Sequence, residues 1–235
     1  MIDIGFMDVI KSENVEFINL NNGPFINLPL NHSCPKSIAL NKLYDEITIK
    51  NVVKKEIDLY IFEENILIKE FENIRKVKES IVSKIVKEEY GDENDILIHY
   101  EHDKKRKRLY LYSMGNGRKV KNLIVEAKAI KVKPIQFYIK SIVEGKIKKI
   151  KDYIIIIELR ELIYLIHVEK NFIVKSIIKN KVDFNLHNEL SNIKKGSILI
   201  ISKKDEDIIP EELRDRLHII SFEIGEIINE KVFKV

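Results

Sequence analysis

The sequence LYLYSM at residues 109–114 is followed by Gly115-Asn116-Gly117, by an amphipathic segment at residues 118–130 and by Pro134. Tyrosines and apolar residues crowd the first stretch, which favours a largely buried strand that the glycine turn ends. Within 118–130 the apolar residues recur at helical spacing with lysines and glutamate between them, which predicts a helix packed by one face on a sheet. Pro134 cannot continue a helix and favours extended geometry before it. The whole stretch therefore predicts a β-α-β step.

Length and composition bound the rest of the chain. The 235 residues are 45% hydrophobic, which is enough for one sizeable domain or two small ones with a real core. The 41 basic and 37 acidic residues are interleaved and leave a net charge of +4. Charge alone therefore does not require a nucleic-acid partner.

Cysteine content and hydropathy bear on the compartment. Cys34 is the only cysteine, which excludes an intrachain disulfide and a cysteine-based zinc site and favours a reducing compartment. The N-terminus lacks the basic start and long apolar core of a signal peptide. The longest apolar run, residues 153–157, is far shorter than the roughly 20 residues of a membrane-spanning helix. We expect a cytoplasmic protein that does not itself cross a membrane.

The first half of the chain reads mostly as short strands. Strands are predicted at residues 1–10 and 15–20, followed by a loop rich in Asn, Gly and Pro at 21–35. Residues 57–62 and 66–71 predict two strands joined by a hairpin or tight connection. A helix at 72–90 ends at Gly91, and a second strand pair follows at 95–102 and 107–114. Residues 57–114 thus predict a small ββαββ subdomain.

The second half reads as strands with short helices. A helix is predicted at 136–143, and three Ile-rich strands at 152–157, 162–168 and 172–179 must be antiparallel because their turns are short. Further elements are a helix at 182–193, a buried strand at 197–202, a short helix at 211–217 and a last strand at 218–222. The predicted division is 1–56, 57–114 and 115–235, with the first and last parts forming one larger unit.

The order of elements across residues 57–143 resembles the actin-like type IV pilus assembly proteins of the PilM type, with FtsA-like cell-division proteins and the cytoplasmic platform of type II secretion as more distant relatives. Residues 129–134, AIKVKP, stand where that family has an A-G-L-x-P turn, and residues 152–179 have the shape of its second phosphate loop. The resemblance implies a mixed α/β, actin-like (ribonuclease H-like) fold, here truncated.

Two phosphate loops of the Asp-x-Gly kind are implied for an actin-like ATPase, since only glycine lets the backbone approach a phosphate closely. Asp3 and Gly5 match the first and are vestigial phosphate-loop candidates, but bulky and acidic residues follow them. Glu158 and Arg160 stand where the second Asp-x-Gly is expected. Residues 202–204, Ser-Lys-Lys, replace the glycine pair under the adenosine. We expect a chain that does not hydrolyse ATP, with no catalytic residue, cofactor or metal.

Other motifs favour ordinary structural roles. The glycine turn at 115–117 could hold an anion at a helix N-terminus, but it reads more simply as a turn. His99 and His102 are near each other in sequence, yet alternation along a strand sends them to opposite faces. The basic run at 104–108 reads as a solvated hairpin, with contact to acidic lipid headgroups or a partner as the alternative. His167, in an apolar strand, reads as a satisfied core residue.

Three functions remain open. The resemblance and the altered loops favour a non-catalytic cytoplasmic scaffold of a pilus or secretion platform, peripheral to the inner face of the cytoplasmic membrane. Its partner would be the short cytoplasmic tail of a single-span inner-membrane protein, with an assembly ATPase as a further partner. An active actin-like ATPase would rest on Asp3 and Gly5. A nucleic-acid-binding α/β module would rest on the run at 104–108 and the pI near 8.8.

Overall fold

The computed structural model describes residues 15–17, 37–40, 56–91, 96–115, 129–159, 161–191, 193–224 and 228. The strands of the first half are β1 (Val15–Phe17), β2 (Ser37–Leu40), β3 (Glu56–Ile61), β4 (Leu67–Phe71), β5 (Leu97–Asp103), β6 (Arg108–Met114) and β7 (Ala129–Pro134). Those of the second half are β8 (Tyr153–Leu159), β9 (Leu162–Glu169), β10 (Phe172–Asn180), β11 (Ser197–Ser202) and β12 (Leu217–Phe222). The helices are α1 (Glu79–Tyr90), α2 (Ile135–Lys146), α3 (Leu186–Leu190) and α4 (Glu211–Arg214).

These strands form three sheets. A parallel sheet has the order β1-β2-β3-β7, and an antiparallel one has the order β4-β6-β5. The third sheet has the order β10-β9-β8-β11-β12, in which β8, β9 and β10 are antiparallel and β11 runs parallel to both β8 and β12. The predicted mixed α/β class is confirmed, as is the antiparallel run of three Ile-rich strands.

The central core lies between the five-stranded and three-stranded sheets and is filled by α2. Every residue of β8 from Tyr153 to Ile157 is buried, because alternate side chains face this core and a second one on the opposite side of the sheet. The second core contains Leu186 and Leu190 of α3 and Leu213 of α4. The short helices after β10 therefore cover the outer face of the sheet.

Strand β6 is buried on both faces, as its sequence predicted. Tyr110 and Tyr112 point into the central core, whereas Leu109 and Leu111 pack against α1. The Tyr110 ring stacks on Phe172 of β10 at a centroid distance of 4.9 Å. Because its tyrosines and leucines face opposite sides, β6 packs against α1 on one face of the small sheet and against the five-stranded sheet on the other.

The predicted hairpin between residues 57–62 and 66–71 is wrong, although the order strand-strand-helix-strand-strand is correct. Strand β3 pairs in parallel with β2 on one edge and β7 on the other, so no edge is left for β4. Residues 62–66 instead cross from one sheet to another. Three hydrogen bonds hold this crossing: Tyr164 Oη donates to the Phe62 carbonyl oxygen at 2.6 Å, Gln136 Nε2 donates to the Glu64 carbonyl oxygen at 2.9 Å, and the Ile178 N–H donates to Asn65 Oδ1 at 3.1 Å. The predicted unit of residues 57–114 is thus divided between two sheets.

Two predicted helices begin later than the sequence suggested. Asn73 has φ +63°, and the backbone of Ile74 is engaged at both polar groups: its N–H donates to the Lys107 carbonyl oxygen, and its own carbonyl oxygen accepts from His102 Nε2. Residues 72–78 are consequently not helical, and α1 starts at Glu79. The helix predicted at 182–193 is reduced to a 3-10 turn at Lys181–Asp183 and the five residues of α3, which the Asn185 side chain caps.

The predicted helix at 118–130 and the strand at 1–10 fall mostly outside the described residues. Ala129 and Ile130, which the helix would have included, belong to β7. The strand runs directly into Pro134, and α2 begins at the next residue, as expected for the fixed φ of proline before a helix. Among the described residues, the longest helices have 12 residues, and none is long and apolar enough to cross a bilayer.

A polar network lies between β5, β6 and α2. Tyr112 Oη donates to Glu101 Oε2 at 2.9 Å, and Lys140, whose side chain is 7% exposed, pairs with Glu144 at 3.1 Å. Burial raises the pKa of Glu101 above its ordinary value, against the opposing effects of Lys140 and the Tyr112 hydroxyl. The ionised carboxylate is therefore less favoured in the folded chain than in the unfolded one.

We expect Ile85→Ala to lower the free energy of unfolding by about 2–4 kcal/mol, because Ile85 is buried against Ile98, Leu109 and Leu111. Ile81 lies at the margin of the same interface and is only half-buried, so Ile81→Ala should cost less. Urea unfolding at constant m-value measures both. Equal losses for the two variants would contradict this placement of α1.

The stability of the folded chain should also depend on pH. Because the folded-state pKa of Glu101 is raised, the folded chain binds more protons, and stability should fall as pH rises from the unfolded value of 4.5 through the raised value. Glu101→Gln should be most stabilising near neutral pH and should flatten this part of the pH profile. Tyr112→Phe removes the donor to the carboxylate and should steepen it. Urea midpoints between pH 4 and pH 8 test both variants, and a pH profile that neither variant alters would refute the assignment.

Candidate functional site

The carboxyl edge of the five-stranded sheet is where the sequence placed the second phosphate loop. Strands β8 and β11 are parallel neighbours, so the residues that follow them meet at this edge. Ligands of open α/β sheets bind outside the carboxyl ends of such strands. Glu158 lies near the end of β8, and Ser202 ends β11 and is fully buried. The structure thus brings together residues that are more than forty positions apart in sequence.

An internal carboxylate closes this edge. The backbone N–H of Glu158 donates to Asp205 Oδ2 at 2.9 Å, and Asp205 lies in a 3-10 helix, Lys203–Ile208, that follows β11 directly. Asp205 is 4% exposed, and burial raises its pKa above the ordinary value, partly offset by the Glu158 N–H and the Lys204 charge. The amide that would face a bound phosphate is therefore already hydrogen-bonded to an acidic side chain of the same protein.

The carboxylate of Glu158 is engaged as well. Lys181 Nζ donates to Glu158 Oε2 at 2.8 Å, and the hydrogen bond raises the pKa of Lys181. The Lys181 N–H also donates to the Glu161 carbonyl oxygen at 3.2 Å, which ties the β8–β9 turn to the end of β10. Leu159, at the middle position of the expected Asp-x-Gly, is buried. Where the resemblance predicts a glycine cradle, the structure has a packed, ion-paired turn.

The remaining phosphate-loop residues divide into two groups. Lys203 and Lys204, which stand where the resemblance predicts two glycines, are exposed at the start of the 3-10 helix. Asp3, Gly5 and Arg160 lie outside the described residues. Of the elements predicted from the resemblance, the structure therefore tests the geometry only at Glu158 and at residues 202–204.

The histidines predicted to diverge do so. The His99 ring stacks on Tyr112 and meets the edge of Phe137, at centroid distances of 5.9 and 5.8 Å. His102 instead donates to the backbone of Ile74 at 2.8 Å. In the part of the chain that the structure describes, no group of three His, Cys, Asp or Glu side chains is arranged to hold a metal ion. Gly115 is exposed, and the rest of the turn at 115–117 falls outside that part.

The basic run at 104–108 forms the turn between β5 and β6. Asp103 holds the turn by accepting from the backbone N–H groups of Lys105 and Arg106, and its carboxylate pairs with the Arg106 side chain. Arg108 pairs with Glu70 at 2.8 Å and with Glu72 at 2.9 Å. The three lysines of the run are exposed. The solvated hairpin is confirmed for the lysines, whereas both arginines hold the fold.

Sequence reasoning missed a groove at the opposite, amino edge of the same sheet. It has a volume of about 800 Å³ and lies where β8 and β11 begin and β9 ends. Its charged lining residues are Lys149, Lys151, Asp152, His167, Glu169 and Lys194. The only signal for this groove in the sequence was that lysines precede both strands. Because β8 and β11 are parallel neighbours, these lysines meet at the edge where both strands start.

His167 lies in this groove and not in the core, contrary to the sequence-based reading. It is on β9 in register with Ile154 of β8, and its side chain is 33% exposed. His167 Nε2 is 3.8 Å from Glu169 Oε1. Partial burial and the Lys175 charge lower its pKa against the opposing effects of Glu169 and Asp152. The imidazole is thus a half-buried, polar element of the groove wall.

Comparisons with known proteins give structural similarities only. No protein-family model matches the sequence, and no curated protein matches it significantly. Among solved structures, a protein of unknown function with an actin-like ATPase fold from Bacteroides thetaiotaomicron has 8% identity and a TM-score of 0.43 over 76% of this chain and 72% of that one.

Two further solved structures are similar at comparably low identity. A PilM–PilN type IV pilus biogenesis complex has 7% identity and a TM-score of 0.42, over 72% of this chain and 70% of that one. The cytoplasmic domain of EpsL, an inner-membrane component of the type II secretion system of Vibrio cholerae, has 8% identity and a TM-score of 0.38, over 64% and 62%.

Asp205→Ala should lower the free energy of unfolding by about 1–3 kcal/mol, because it leaves the partly buried N–H of Glu158 without its acceptor. Asp205→Asn keeps an acceptor oxygen and removes a buried charge, so it should cost less. Asp207→Ala, in the same 3-10 helix but exposed, is the matched control and should change stability by less than about 0.5 kcal/mol. Equal effects of Asp205→Ala and Asp207→Ala in urea unfolding would contradict the closure of this edge by Asp205.

Proposed function

We propose that the chain is a reduced, non-catalytic actin-like scaffold in a type IV pilus or type II secretion-like assembly platform. One observation supports the loss of catalysis: the Asp205 carboxylate accepts the hydrogen bond of the Glu158 N–H, at the position where a phosphate would have to bind. A phosphate there would have to displace the Asp205 carboxylate from the Glu158 N–H, and the nearby Lys181 is already paired with the Glu158 carboxylate. ATP binding would require the 3-10 helix after β11 to move away.

The choice of machine and partner comes from the resemblance of the element order to the PilM type. In that role the chain binds the short cytoplasmic tail of a single-span inner-membrane protein, and that contact holds it at the inner face of the cytoplasmic membrane. A short tail that becomes ordered on docking loses conformational entropy, so an affinity of roughly micromolar is expected for the isolated tail. An assembly ATPase is a further partner in the same platform.

The alternative of a nucleic-acid-binding module is less well supported by the hairpin at 104–108. Arg106 and Arg108 are paired with Asp103, Glu70 and Glu72, so two of the five cations are already engaged. A phosphate backbone would have to compete with these carboxylates. The exposed lysines alone make an ordinary solvated turn.

Two measurements on the purified chain test the proposal. Mg-ATP should leave the melting temperature unchanged, whereas ATP at about 100 times its Kd would stabilise the fold by about 2.7 kcal/mol. A labelled peptide of the cytoplasmic tail encoded by a neighbouring single-span gene should bind without nucleotide, and a scrambled peptide should not. Clear stabilisation by ATP would overturn the non-catalytic reading. Failure of both the tail and the full-length partner to bind would overturn the scaffold role.

A further inference from the structure

We infer that the groove at the amino edge of the five-stranded sheet binds an extended acidic peptide segment. The groove is built from two segments, one before β8 and one before β11, together with the end of β9. Because β8 and β11 are parallel neighbours, their lysine-rich approaches are held side by side by the sheet itself. The site is therefore part of the rigid core and does not depend on a loop alone.

The charges of the groove favour an acidic ligand. The lining lysines Lys149, Lys151 and Lys194 are exposed, and no ion pair among the described residues uses their ammonium groups. Lys148 and Lys195 are exposed beside them in the same two segments. Three lining cations therefore face a ligand, against two carboxylates in the groove, and two more lysines adjoin them in sequence.

Both carboxylates have internal roles. Asp152 Oδ1 accepts from the backbone N–H of Lys170 at 3.0 Å and so holds the β9–β10 turn, in which Lys170 and Asn171 both have positive φ. Glu169 lies beside His167. Each carboxylate thus already has a partner within the protein, whereas the exposed lysines are open to an incoming ligand.

Part of the groove lining, which we call its floor, is formed by isoleucines, so the ligand is amphipathic. Ile154 is buried, and Ile150, Ile193 and Ile198 are half-buried along the lining. The groove is open, whereas small-molecule sites enclose about 70–90% of their ligand. An extended segment can lay alternate apolar side chains on this floor and direct carboxylates to the lysines.

A peptide fits the groove better than a nucleic acid does. Asp152 and Glu169 would repel a continuous phosphate backbone, whereas the separate carboxylates of a peptide can avoid them. Among the rings of the lining, Tyr153 is buried, and only the half-buried imidazole of His167 is left for a base to stack on. If the partner is the tail of the proposed scaffold function, on which this identification rests, that tail carries acidic residues interleaved with apolar ones.

The test uses a short fluorescent peptide of alternating glutamate and leucine and the same peptide with glutamine in place of glutamate. The full chain should bind the glutamate peptide more tightly by anisotropy. Combined reversal of Lys149, Lys151 and Lys194 to Glu should weaken binding roughly tenfold, as three lost rim charges imply. The matched control reverses Lys76, Lys78 and Lys84, three exposed lysines at and just before α1, which packs on the face of the small sheet turned away from the five-stranded sheet, and should leave binding unchanged.

Several results would overturn the inference: equal binding of the two peptides, equal loss in both triple variants, or displacement of the peptide by lower concentrations of a single-stranded oligonucleotide. Circular dichroism checks the fold, and a glutamine triple variant replaces the reversal if that variant is unfolded. Tail binding that survives the groove reversal would contradict the inference but leave the scaffold function intact. Binding of the acidic peptide without binding of any membrane partner would support the groove site and contradict the scaffold function.

Discussion

The hydrogen bond that Tyr164 donates to the Phe62 carbonyl oxygen satisfies a backbone acceptor buried between two sheets. An unpaired buried carbonyl would be costly, so the end of β3 must stay where this hydroxyl can reach it. Gln136 and Asn65 fix the next residues of the crossing in the same way. The position of the small sheet above α2 depends on these contacts, because β4 begins where they end.

Elements whose pattern is local could be predicted from the sequence. The strands β8 to β11 and helix α2 were found because continuous Ile-rich runs, short turns and Pro134 act over a few residues. The pairing of β3 could not be predicted in this way, since the competing partners β2 and β7 lie far from it in sequence. The start of α1 was misplaced for the same reason: Ile74 is held by Lys107 and His102, which come from another strand pair.

The candidate sites at the two edges of the five-stranded sheet were hard to predict for the same reason, because their residues come from distant parts of the sequence. The expected Asp-x-Gly motif placed Glu158 at the end of β8. It could not reveal that the Asp205 carboxylate accepts the hydrogen bond of the Glu158 N–H, because the two residues are 47 positions apart. The groove at the other edge has no motif. Its lysines read as scattered surface charge until β8 and β11 are known to be neighbours, and His167 reads as a core residue until its neighbours are known.

The contact between Asn65 and Ile178 has a consequence for behaviour in solution. Strand β10 ends the five-stranded sheet, and an open strand edge is a template on which a second chain can add a strand. The Asn65 side chain accepts the Ile178 N–H from outside the sheet and so takes a backbone group that an added strand would need. The crossing segment thus shields this edge against self-association, and a fold rich in isoleucine strands gains protection from aggregation through one amide side chain.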